Sequence, residues 1–107
     1  MKHVSILVPK GECSITNIEG TYQILLRVNA WLEEAGEPPL FNVQLVGLER
    51  ETRMKNGLFS ISPDVMVREV SRTDLILVPS VHGDKEAILK ENKPMLDWIV
   101  ERYRDGA

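Results

Sequence analysis

Val4-Ser5-Ile6-Leu7-Val8-Pro9-Lys10-Gly11 is the stretch that decides the fold. A short, β-branched-rich apolar run that closes on a Pro-Lys-Gly turn reads as a strand buried on both faces, as in a parallel sheet. The run is too short for a signal peptide or a membrane span, and Pro9 ends it.

Beyond the turn, Thr16-Asn17-Ile18-Glu19 has the spacing of a capping box. Ile18, Tyr22, Leu25, Leu26 and Leu32 recur at helical spacing and predict an amphipathic helix. Gly36 and Pro38-Pro39 stop it. Gly20 inside this helix suggests a close approach of backbones. Phe41-Asn42-Val43-Gln44-Leu45-Val46-Gly47-Leu48 is a second strand. Residues 49–57 are polar and charged and read as a loop with an Asn56-Gly57 turn. Residues 58–62 suit a short strand, and residues 63–70 a short helix capped by Ser62. Asp74-Leu75-Ile76-Leu77-Val78-Pro79 is a third buried strand, followed by a Val81-His82-Gly83-Asp84 loop. Asp84 can cap a helix through Lys90. Pro94 opens a last helix whose Met95, Trp98, Ile99 and Arg102 share a face. Strands alternating with helices imply a parallel sheet covered on both faces, with right-handed crossovers. The last helix stops at Asp105-Gly106, where another strand would be expected, so the 107 residues are expected to be the front part of a larger domain.

Composition narrows the function classes. The 13 basic and 16 acidic residues give a net charge of −3, against the basic surface usual for nucleic-acid binding. Cys13 is the only cysteine, so no internal disulfide can form, and a reducing, cytoplasmic setting is expected. No His/Cys cluster offers a metal site. There is no GxGxxG and no GxxxxGK[ST], and no cofactor is expected. Clustered aspartates after the first strand, as a phospho-acceptor would need, are missing. Cys13-Ser14-Ile15-Thr16-Asn17 stands where a flavin-phosphate loop would, with weak composition for it. Cys13 reads as an incidental small residue, His3 as a surface residue, and Trp31 and Trp98 as packing residues. No catalytic set can be assembled. In an open parallel sheet ligands bind beyond the carboxyl ends of the strands, which points to Pro9–Asn17, Glu49–Gly57 and Pro79–Asp84.

His3-Val4-Ser5-Ile6-Leu7-Val8-Pro9-Lys10-Gly11, Ile18-Glu19-Gly20-Thr21-Tyr22-Gln23-Ile24, Phe41–Leu48 and Thr73–Pro79 together resemble the ThiJ/PfpI superfamily, a flavodoxin-like, class I glutamine amidotransferase-like fold with a three-layer sandwich around a parallel sheet. Pro79–Asp84 and Asp97–Tyr103 are most similar to the N-terminal domain of AraC-type transcriptional regulators. The resemblance implies that residues 1–107 are the N-terminal part of such a domain, with a helix-turn-helix DNA-binding region downstream. It places the family's nucleophilic cysteine beyond Ala107, so Cys13 is not its equivalent. Asn17 stands where family enzymes often carry an acid, and Ser80-Val81 where they often carry Gly-Gly. Both departures favour binding over catalysis. The expectation is a non-catalytic regulatory domain that takes a small-molecule effector against Asn17, Ser80, Val81 and His82, forms a homodimer, and meets DNA only through the downstream region. The alternatives are a cysteine-dependent hydrolase, hydratase or glyoxalase-like enzyme with its nucleophile past residue 107, and a ligand-free interaction module.

Overall fold

Strand β1 (Lys2–Val8) is the axis of the molecule, and its alternation sorts the core into two faces. The structure is a computed structural model describing residues 1–107. Val4, Ile6 and Val8 pack on one face with Cys13, Ile18 and Met54. Leu7 points the other way, to Val46, Val67, Val70, Met95 and Trp98. Successive strand side chains point to opposite faces, so one run of apolar residues feeds both layers. Burying each such side chain is worth about 1.5–3 kcal/mol.

After β1 comes a two-residue strand β2 (Glu12–Cys13), then helix α1 (Ile15–Glu34). The helix begins before the expected capping box. Ser14, in an extended conformation, is the N-cap, and its hydroxyl accepts from the Asn17 amide at 3.2 Å. Thr16 already lies in the first turn. Ile18 is buried, with Tyr22 and Leu25 packed beside it. Leu26 is 40% exposed, because one residue turns about 100° around a helix of 3.6 residues per turn. Trp31 is likewise on the surface, not in the core. Gly36, at φ +77°, carries the left-handed exit for which glycine is suited.

Strand β3 (Phe41–Gly47) pairs parallel to β1, from Lys2 opposite Phe41 to Val8 opposite Gly47. The expected 49–57 loop contains a strand. β4 (Thr52–Met54) and β5 (Phe59–Ile61) form an antiparallel hairpin around Lys55, Asn56 and Gly57, all at positive φ. Thr52 and Met54 are buried and Arg53 is exposed, a period-2 signal only three residues long. The expected helix over 63–70 is instead β6 (Val65–Met66) followed by a single 3₁₀ turn, Val67–Glu69. Ser62 is not its cap; the Glu69 carboxylate accepts from the Met66 amide at 2.8 Å.

Strand β7 (Leu75–Leu77) is shorter than expected and lies at a sheet edge, with Leu75 44% exposed. The expected loop after Pro79 holds β8 (Val81–His82), antiparallel to β2. α2 (Lys85–Glu91) and α3 (Lys93–Arg104) follow. Asp84 is the N-cap of α2 without a side-chain capping bond. Pro94 sits in the first turn of α3, and Trp98 Nε1 donates to the Val70 carbonyl at 2.8 Å.

The main sheet runs β6-β3-β1-β7 with every pairing parallel. α1 covers one face and α3 the other. This is the three-layer α/β arrangement, with β1 flanked by β3 and β7. Its switch point, where connections leave in opposite directions, lies between β1 and β7. No helix is long and apolar enough to cross a membrane.

Candidate functional site at the strand ends

The switch point is bridged by short backbone ties. β2 and β8 pair across it, Glu12 opposite His82 and Cys13 opposite Val81. The Ser14 amide donates to the Ser80 carbonyl at 2.8 Å. The Ser80 amide in turn donates to Asn17 Oδ1 at 2.9 Å. Both backbone groups of Ser80 are therefore engaged by the start of α1. Sequence places Asn17 there because Ser14, the helix cap, holds its own amide.

Behind this bridge is a pocket of about 160 Å³ lined by Ile6, Asn17, Thr21, Leu77, Val78 and Pro79. Drug-sized sites run to roughly 300–1,000 Å³, so this one suits a ligand of few heavy atoms. A second, mostly apolar pocket of about 170 Å³ lies against the α2–α3 pair, with Val81, Ile88, Asn92 and Met95 in its wall. A third pocket, about 300 Å³, opens near Met1, His3 and Asp74, at the amino ends of the strands and away from the switch point.

Of the residues expected at the site, the structure joins Asn17 and Ser80 directly. Val81 belongs to the apolar pocket, and His82 is exposed on β8, outside both linings. No group of three or more His, Cys, Asp or Glu side chains is placed to hold a metal ion. Cys13 lies wholly inside the core, its Sγ 3.9 Å from Met54 Sδ. Burial pushes its thiol above the ordinary 9.0, and Glu12 adds to the rise. A neutral thiol is a poor nucleophile.

Two constellations escaped the sequence reading. Asn92 is 3% exposed, and its side-chain amide pairs with both backbone groups of Lys10: Oδ1 accepts from the amide at 2.7 Å and Nδ2 donates to the carbonyl at 3.0 Å. It holds the turn after β1 from 82 positions away, a distance no local signal spans. His3 is half-buried, not a surface residue. Its ring lies 2.8 Å from Thr73 Oγ1 and 2.7 Å from Gln44 Oε1, and Ser5 Oγ also meets Thr73 at 2.8 Å. The His3 amide donates to Asp74 Oδ2 at 2.8 Å, which holds that carboxyl below its ordinary 3.8.

No family model and no curated protein matches the chain. Solved structures do. A candidate transcriptional regulator from Vibrio parahaemolyticus superposes with a TM-score of 0.75 at 22% identity, over 100% of this chain and 53% of that one. A two-domain protein from Anabaena variabilis, with DJ-1/ThiJ/PfpI-like and ferritin-like domains, matches at 0.59 and 20% identity, over 99% of this chain and 28% of that one. A mutant of a DJ-1 superfamily protein from Salmonella typhimurium matches at 0.55 and 16% identity, over 99% and 52%. The chain thus has the ThiJ/PfpI-type fold, and it spans about half the length of the first and third of these structures.

Proposed function

We propose that the chain is the front part of a regulatory domain of an AraC-type transcriptional regulator, binding a small effector at the switch point and performing no chemistry there. The observation that carries this reading is the Asn17–Ser80 hydrogen bond. An oxyanion hole needs backbone amides aimed at the reacting atom; here the Ser80 amide is spent on a side chain. Asn17 is neutral and cannot serve as a general base. The fold shared with a candidate transcriptional regulator supports the reading. The effector acts by binding one arrangement of the bridge more tightly than another, and DNA is met through a helix-turn-helix region outside residues 1–107. The competing enzyme reading requires a cysteine beyond Ala107 and a Ser80 amide freed from Asn17.

A thermal-shift screen of the chain against metabolites of few heavy atoms tests the proposal. A stabilising compound whose effect falls in Asn17→Ala, with circular dichroism unchanged, supports it. An affinity untouched by His82→Ala removes His82 from the site. Turnover of any compound by the protein, or operator binding by the chain alone with a steep salt dependence, overturns it.

A further inference from the structure

The turn before β7 and the end of α3 enclose the cavity of about 300 Å³ at the amino ends of the strands. β1 is seven residues long, so roughly 20 Å of strand separates this cavity from the switch point. Only one of its eight lining residues, Met1, is hydrophobic. A ligand there is therefore polar over most of its surface.

The side-chain charges of the wall balance in number but not in contacts. Arg72 and Arg102 stand with Asp74 and Asp105. Arg72 is exposed and forms no ion pair. Asp74 spends one carboxylate oxygen on the His3 amide and has no ion pair either. Asp105 lies 3.3 Å from Arg102 Nη2, yet its side chain is 64% exposed. Arg102 also donates through Nη1 to the Ser71 carbonyl, but its Nε–H is shut from solvent and has no acceptor. A buried donor without a partner is rare in a folded protein, and this one belongs to a residue of the cavity wall. Asp105 and Gly106 end α3, at the negative pole of the helix macrodipole, which favours cations.

A ligand with one kind of charge meets opposition here. An anion drawn to Arg72 faces Asp74, Asp105 and the helix end. A cation drawn to those faces two guanidinium groups. A small molecule carrying both charges satisfies each side.

We propose that this cavity is a binding site for a small zwitterion of the α-amino-acid class. Its carboxylate lies against Arg72, whose planar fork matches two carboxylate oxygens. The same carboxylate gives the Arg102 guanidinium, turned a little toward the cavity, the acceptor that its Nε lacks. The ammonium group lies toward Asp105 and the last carbonyls of α3. The volume stands at the lower end of the roughly 300–1,000 Å³ of ligand pockets, which suits a free amino acid and not a peptide of several residues. The occupied site ties the turn before β7 to the end of α3. The proposal stands apart from the effector site and does not need it.

Titration of the chain with L-serine and L-glutamine, followed by NMR, tests it. The chain has two histidines. His3 is in the cavity wall, and His82 is on β8 at the opposite end of the sheet. The expected result is a saturable movement of the His3 ring signals by at least one of the two amino acids, with those of His82 still. Acetate and ethylamine, each carrying one of the two charges, should bind at least about 10-fold more weakly. Arg72→Gln and Asp105→Asn should each weaken binding by about 10-fold. Both side chains are exposed, so circular dichroism should not change. Asn17→Ala, at the switch point, should leave binding as it is. His3 signals that stay still with both amino acids, acetate or ethylamine binding as tightly as they do, or an affinity unmoved by Arg72→Gln overturns the proposal. An effect lost in Asn17→Ala also overturns it, and gives the amino acid to the switch point.

Discussion

Asn17 Oδ1 accepts a hydrogen bond from the Ser80 amide at 2.9 Å, joining positions 63 residues apart across the switch point of the sheet. Removing the acceptor, as in Asn17→Ala, should lower stability by about 0.5–1.5 kcal/mol, the usual net worth of one hydrogen bond. Asn17→Asp keeps an oxygen in place and should retain most of that stability. Urea unfolding of the three proteins side by side checks both.

Asn92 should cost more. Asn92→Ala strips the side-chain partner from the Lys10 amide and carbonyl, while the Ile88 carbonyl keeps the backbone amide of residue 92. With each buried orphan worth about 1–3 kcal/mol, a loss of roughly 3 kcal/mol is expected. Asn92→Asp, which keeps the acceptor and loses both donors, should fall between alanine and the native residue. Unfolding midpoints read at constant slope give the order.

Gly47 has no room for a side chain. A Cβ there would lie 2.5 Å from Pro63 Cγ and 3.1 Å from Pro63 Cβ. Gly47→Ala should therefore destabilise by about 1–3 kcal/mol, the range for overpacking. Adding Pro63→Ala should recover part of the loss, which a double-mutant cycle measures.

Asp74 makes a pH prediction. Its folded carboxyl titrates below the ordinary 3.8 because the His3 amide donates to it, with Lys2 and Arg72 adding to the effect. A depressed folded value means that the contribution to stability is fully present above the unfolded value. It is lost as pH falls through the lowered one. Asp74→Asn should lose that contribution at neutral pH and flatten the acid-side part of the stability curve, so that the two proteins converge as pH falls. An unaltered acid limb would show that the amide contact is not formed in solution.

Cys13 should resist thiol reagents in the folded protein at neutral pH and react fully in denaturant. The core walls off its sulfur, and burial raises its thiol. Fast native-state labelling would mean that the β2–β8 bridge opens readily.

β1, α1 and β3 were legible because each carries its own signal over seven or more residues, an apolar run for the strands and a helical period for α1. The Trp98 side of α3 was legible for the same reason. The misses are short. β2, β6 and β8 have two residues each, and they are strands only because a distant partner supplies the other half of the pairing. Ser14 outcompeted Thr16 as the cap because the β2 pairing holds it extended, which the capping pattern alone cannot tell. At the candidate site, the place was readable from strand order. That Asn17 and Ser80 are hydrogen-bonded to each other, and that His82 lies outside both pocket linings, follows from tertiary contacts with no local signature.

The grip of Asn92 on Lys10 has a mechanical consequence. Its amide also donates to Ile88, so the turn leaving β1, the end of α2 and the start of α3 are riveted at one residue. The Lys10 turn leads within a few residues into β2 and the Ser14–Ser80 tie. A strain that prised open the bridge would be carried through this rivet to the elbow between the helices, and α3 would swing as a lever on the far face of the sheet.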